Sequence, residues 1–119
     1  MARGIILVGH GSRDPLWRGP IEAVAARLAA GQPDVPTRCA YLELQQPDVG
    51  LAAAELAALG VRRISLVPMF LGTGKHARAD LPRLLQVLGA THPDVEFTLQ
   101  LPVGEDPRVL DLLARIALE

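Results

Sequence analysis

Residues 4–14 read Gly-Ile-Ile-Leu-Val-Gly-His-Gly-Ser-Arg-Asp, and this stretch decides the fold. Ile5 to Val8 form a short, continuous apolar run. Such a run suits a parallel strand covered on both faces. The Gly-rich polar segment that follows ends the strand and presents His10 between two glycines. A similar run lies at Arg62–Phe70, with Ile-Ser-Leu-Val-Pro-Met-Phe. Two weaker strands are expected at Thr37–Leu44, carrying Cys-Ala-Tyr-Leu-Glu-Leu, and at Val95–Leu101, carrying Glu-Phe-Thr-Leu-Gln. Helical patterns fill the gaps. The first runs from Gly19 to Ala30, with Pro20 suited to a first helical position and Ile21, Val24, Ala25 and Leu28 on one face. The second follows Pro47, is rich in Ala and Leu to Leu59, and stops at Gly60. The third is expected over Asp80–Leu88, with Asp80 as N-cap and Gly89 as stop. The fourth runs from Asp106-Pro107 to the C-terminus. The order β-α-β-α-β-α-β-α predicts one α/β domain over residues 1–119. Its parallel sheet is flavodoxin-like, in strand order 2-1-3-4, with helices on both faces.

Composition narrows the function. The chain has 119 residues, 50% hydrophobic and 21% charged, enough for one core without staples. One cysteine, Cys39, excludes a disulfide framework and a multi-Cys metal cluster, and its place inside strand 2 reads as a small buried hydrophobe. A formal charge of −1 argues against a nucleic-acid partner, which needs surplus Lys and Arg. No apolar run approaches the roughly 20 residues that span a membrane, and the N-terminus lacks a secretory leader pattern. A cytoplasmic protein is expected.

In open parallel sheets, ligands bind beyond the carboxyl ends of the strands where strand order reverses. The residues after strands 1 and 3 are therefore the place to look. Gly9-His10-Gly11-Ser12-Arg13-Asp14 follows the first, and Leu71-Gly72-Thr73-Gly74-Lys75-His76 the third. Glu43 ends strand 2 on the same edge. An imidazole beside glycines can be a metal ligand, a general base or a phosphoryl acceptor. It can also simply cap the next helix. His92 precedes strand 4, falls on the opposite edge and reads as a turn residue. Arg13, Arg18, Lys75 and Arg78 lie in or beside the two loops and suit an anionic ligand, while Asp14 and Asp80 oppose them. Trp17, Met69, Phe70 and Leu71 are candidates for an apolar wall. Other motifs fail. The Gly9–Asp14 segment lacks the third glycine of a dinucleotide fingerprint. The Gly72–Lys75 segment resembles the end of a P-loop, but Met69 stands where Gly is required and His76 where Ser or Thr is required. No G-x-S-x-G elbow is present.

Taken together, several pieces of the chain resemble the class II chelatases of tetrapyrrole biosynthesis, specifically short sirohydrochlorin chelatases of the CbiX type. They are Leu7-Val-Gly-His-Gly-Ser-Arg13, Leu42-Glu-Leu44, Val67-Pro-Met-Phe-Leu-Gly-Thr-Gly-Lys-His76 and Asp80-Leu-Pro82. The resemblance runs through essentially the whole chain in order and spacing. It implies ATP-independent insertion of a divalent metal into sirohydrochlorin, Co²⁺ first, then Fe²⁺, with Ni²⁺ as a further candidate. The metal is a substrate, and no permanent cofactor is implied. His10 looks like the metal-binding proton acceptor, His76 like the second metal ligand, and Glu43 like the assisting carboxylate. Leu71, Gly72, Thr73, Gly74 and Lys75 look like the loop that touches the macrocycle, with Arg13 and Gln46 also expected at the substrate. Gln46-Pro47 departs from a common Glu-Pro, which removes one carboxylate from the rim.

Three other readings compete. A phosphohistidine phosphotransfer domain explains His10 but gives His76 and Glu43 no role. A histidine phosphatase needs Arg where Gly9 stands. A non-catalytic tetrapyrrole or metal carrier would use the same residues. Long class II chelatases join two α/β units around a cleft, and this chain has one. A C₂ homodimer is therefore expected, with the apolar second helix partly covered by the partner.

Overall fold

The computed structural model describes residues 2–119. Four parallel strands, β1 (Arg3–Gly9), β2 (Thr37–Tyr41), β3 (Arg63–Pro68) and β4 (Glu96–Leu99), form one sheet in the order β2-β1-β3-β4. The helices are α1 (Gly19–Gly31), α2 (Val49–Ala58), α3 (Lys75–Thr91) and α4 (Pro107–Ala117), with 3₁₀ turns at Pro15–Arg18 and Val103–Glu105. The α/β architecture and the 2-1-3-4 order are those expected from the alternating runs.

The sheet has two unlike faces. On one, Ile6, Val8, Ile64, Leu66 and Phe70 meet Ala52, Ala53 and Leu56 of α2 and Ala77, Leu81 and Leu88 of α3 in a single buried cluster. On the other, Leu7, Ile21 and Tyr41 are buried under α1, with Ile5, Val24, Leu28, Val67 and Met69 partly covered around them. The register explains where that second face weakens. Arg63 pairs with Glu96 and Ser65 with Thr98 on one side of β3–β4, while Ile64 with Phe97 and Leu66 with Leu99 lie on the opposite side. The polar side carries the Arg63–Glu96 ion pair at 3.7 Å and the Thr98–Ser65 hydroxyl hydrogen bond at 3.3 Å.

Some boundaries differ from expectation. The β2 strand stops at Tyr41, so Glu43 stands in the loop beyond it. The third helix starts at Lys75, five residues before Asp80, and Gly74 rather than Asp80 is its N-cap. It continues through Gly89 to Thr91, and His92 closes it by donating its amide to the Leu88 carbonyl. Pro82 invites a start near Asp80 because proline removes a hydrogen bond inside a helix. Burial of Ala77, Leu81 and Leu88 along one face offsets that loss and carries the helix through it. In α2, Asp48 caps through Oδ1 to the Leu51 amide at 2.8 Å. That helix buries Val49, Ala52, Ala53 and Leu56 against its own sheet, while Leu51 stays half-exposed on its outer side. The α4 helix buries none of its residues and leaves Leu110, Leu112, Leu113 and Ile116 in water.

Candidate active site

Main-chain hydrogen bonds continue the ladders past the ends of the strands. The Leu42 amide donates to the Gly9 carbonyl and the Glu43 amide to the His10 carbonyl, each at 3.0 Å. The Met69 amide donates to the Val8 carbonyl at 2.8 Å. The loops after β1, β2 and β3 are thus held side by side. Gly11 sits at φ +101°, and a Cβ there would overlap the Glu43 carbonyl oxygen. Only glycine fits that position, because it tolerates both the left-handed backbone and the approach. Leu44 follows at φ 65°, an uncommon conformation for a branched residue and one that clusters at functional sites. The Ser12 amide donates to Gln45 Oε1 at 2.9 Å, tying the two loops a second time.

Within this frame His10, Glu43 and His76 line one cleft of about 320 Å³, together with Leu42, Gly74, Lys75, Ala77 and Asp80. His10 comes from the β1 loop, Glu43 from the β2 loop and His76 from the first turn of α3. His10 is half-buried, while Glu43 and His76 are exposed. The His10 ring stacks on Phe70, with centroids 4.0 Å apart and an interplanar angle of 18°. Phe70 is itself buried, so it fixes the plane of the imidazole. Among the described residues, no set of three or more His, Cys, Asp and Glu side chains converges closely enough to hold a metal ion. The three side chains share a cleft but do not stand close enough together to form a coordination shell.

The other expected site residues divide. Gly74 and Lys75 line the same cleft. Thr73 lines a neighbouring one with Arg78 and Glu105, where its hydroxyl is buried and has no partner. Leu71 and Gly72 are exposed at the tip of the loop, and Arg13 is exposed in the β1 loop. Gln46 faces elsewhere. It lines a groove between α1 and β2 with Arg18, Glu22 and Cys39, and Gln45 rather than Gln46 reaches the His10 loop. Asp80 neither caps α3 nor stands apart from the site. It lines the cleft, with its carboxylate 3.9 Å from Arg83. Cys39 donates weakly to the Ile21 carbonyl at 3.7 Å, and burial followed by the nearby Glu22 charge raises its pKa, which holds it as a thiol. A half-buried thiol kept protonated in this way is chemically quiet.

The CbiX family model matches residues 4–119. The chain belongs to the CbiX family. It is 32% identical over 117 residues to a sirohydrochlorin cobaltochelatase of Methanosarcina acetivorans, covering 92% of this chain and 90% of that one. It is 33% identical over 111 residues to a sirohydrochlorin ferrochelatase of Priestia megaterium, covering 92% of this chain and 41% of that protein. Its fold matches the crystal structure of a Marinobacter aquaeolei VT8 protein described as CbiX of cobalamin biosynthesis. That match has a TM-score of 0.83 at 33% identity and covers 98% of this chain and 93% of that one. Membership of the CbiX family sets the phosphotransfer and phosphatase readings aside. No helix among the described residues of this CbiX chain is long and apolar enough to cross a membrane.

Proposed function

We propose that this chain inserts a divalent metal, Co²⁺ in preference to Fe²⁺ and Ni²⁺, into sirohydrochlorin without ATP. The observation that carries the reading is the cleft shared by His10, Glu43 and His76 at the switch point of the sheet. Relatives named for cobalt and for iron insertion into the same tetrapyrrole support the substrate class. The metal passes through as a substrate, and no resident cofactor is invoked.

Metallation replaces two ring N–H protons by one divalent ion, so two protons must leave as the metal enters. Imidazole and carboxylate donors bind these ions without the grip of thiolates. A site with open positions can hand its ion to the ring nitrogens. The His10 imidazole, held flat against Phe70, accepts one proton as it gives up the ion. Glu43 and His76 flank it as the remaining donors and as acceptors for the second proton. Lys75 and Arg13 supply positive charge for the ring's carboxylates, with Leu71, Gly72, Thr73 and Gly74 as the loop against its edge. Gln46 contributes at most from outside the cleft, given the groove it lines. The reactive form is a homodimer working in the cytoplasm.

The test is spectroscopic. Purified protein, sirohydrochlorin and Co²⁺ should give the metallated spectrum well above the protein-free rate, with Fe²⁺ and Ni²⁺ slower. His10→Ala should lower the rate by about 10²-fold or more, the usual contribution of a positioned general base. A wild-type rate equal to the protein-free control would leave the carrier reading in its place.

A further inference from the structure

Four segments leave the carboxyl end of the sheet. Those after β1, β2 and β3 lead to His10, Glu43 and His76. The fourth, residues 100–106, follows β4, and none of its residues lines the cleft. It is nonetheless pressed against the site from outside. It starts tied to β3, with the Gln100 amide donating to the Leu66 carbonyl at 2.9 Å. The chain then closes on itself through Val103–Glu105. There the Glu105 amide donates to the Pro102 carbonyl at 2.9 Å, and the Asp106 amide to the Val103 carbonyl at 3.1 Å. At the centre of this turn the Gly104 amide donates to the Phe70 carbonyl at 2.9 Å. A Cβ on Gly104 would overlap the carbonyl group and Cα of Leu71. Left-handed backbone is not the reason for glycine here, since the described glycines with positive φ are Gly11 and Gly60. A second main chain simply runs across the position.

Phe70 is where that contact acts. Its ring is 3% exposed and packs in the cluster that holds Leu66, Ala77 and Leu81. Its face carries the His10 imidazole, with centroids 4.0 Å apart. The His10 main chain is held separately, by the Glu43 amide on its carbonyl. The plane of the imidazole is what Phe70 adds. Leu71 then opens the loop toward α3, where Gly72 and Gly74 have open space around them. The loop is therefore clamped at its base and free along its length.

We propose that Gly104 is a positioning residue for metallation. Through Phe70 it sets the plane of the His10 imidazole, and through Leu71 it fixes the base of the loop that meets the macrocycle. A methyl group at 104 forces the two main chains apart, and Phe70 moves with its carbonyl. The inference rests on His10 as the proton acceptor at this cleft.

One arm of the experiment needs neither metal nor tetrapyrrole. In the NMR spectrum of the chain alone, the His10 ring protons lie in the shielding region over the Phe70 face. Phe70→Leu should move them downfield, which marks the stacked signals. Gly104→Ala should move them in the same sense. Gly89→Ala, at a position in α3 with open space around it, should leave them in place. In the second arm, Gly104→Ala should lower the Co²⁺ metallation rate at saturating sirohydrochlorin by about 10²-fold, the order expected when a reacting group is misplaced by about 1 Å. In a Phe70→Leu background the same change should alter the rate by about twofold or less, because effects carried by one shared residue do not add. Circular dichroism checks that each variant is folded. Unmoved His10 signals in Gly104→Ala overturn the proposal. So does a wild-type rate, or an equal fold-loss with Phe70 already replaced. Should Gly104→Ala fail to fold, Val103→Gly loosens the turn without any overlap. It should move the same signals, and unmoved signals again overturn the proposal. Shifted signals beside an absent wild-type rate would strike the metallation reading and keep the coupling of Gly104 to His10.

Discussion

The two faces of the sheet do different work. The α2/α3 face is apolar in every strand that reaches it, from Ile6 and Val8 through Ile64 and Leu66 to Phe97 and Leu99, and two helices close it. The α1 face is apolar over β1 and β2, partly covered at Val67 and Met69, and polar at the β3–β4 edge. Both faces arise from the same strands, because successive residues point to opposite sides. The difference separates what holds the chain folded from what it leaves free to meet something else.

The largest test of that contrast is a matched pair of substitutions on one strand. Leu66→Ala empties part of the closed face and should cost about 3 kcal/mol in chemical denaturation, in the range for buried Leu→Ala. Val67→Ala, on the half-covered face one residue away, should cost about 1 kcal/mol or less, since less apolar surface returns to water there. Equal losses would mean that both faces are equally packed, and the contrast would fail.

A smaller effect sharpens the contrast at the site end. Gly11→Ala forces a side chain into a left-handed backbone against the Glu43 carbonyl. The expected cost is of order 1–3 kcal/mol. Metallation should fall further than that loss of stability alone explains, because His10 and Glu43 would separate. Denaturation and rate measured on the same preparation decide it. A variant with normal rate and lower stability would show that the interlock serves only the fold.

The mildest effect concerns the cap of α4. Asp106 caps that helix and is paired with Arg108 at 2.6 Å. The Arg108 side chain first, and then its backbone amide, lower the Asp106 pKa from 3.8 to about 2. A carboxylate depressed in the folded state stabilises above its unfolded value and loses that contribution as pH falls through the folded one. Proton loss from Asp106, followed by NMR, should therefore centre near pH 2, with the cap intact at neutral pH. Arg108→Ala should return the midpoint toward that of an ordinary carboxylate. An unchanged midpoint would remove Arg108 as the cause.

How much of this was readable in the sequence depended on which physics was at stake. The continuous apolar run at Ile5–Val8 and the apolar-rich run at Ile64–Met69 marked the central strands, although only β1 is closely covered on both faces and β3 is buried in alternation. Glu43 and His76 fell on one edge because the segments that follow parallel strands leave from the same end of the sheet. The start of α3 was misplaced because Pro82 and Asp80 form a plausible local helix start, while the burial that overrides them is tertiary. Gln46 was expected near the substrate. One step of backbone direction past the end of β2 sends Gln45 toward the His10 loop and Gln46 to the opposite side, and no local pattern records that step. The apolar stripe of α4 was readable as periodicity, but periodicity states which face is apolar and not what lies across from it.

The contact between Gly11 and Glu43 has an evolutionary side. Main chain is pressed to main chain there, so neither loop can lengthen, shorten or acquire a side chain at the crossing without moving the other. His10 and Glu43 stand beside that crossing, so the spacing between their backbones is set by main chain.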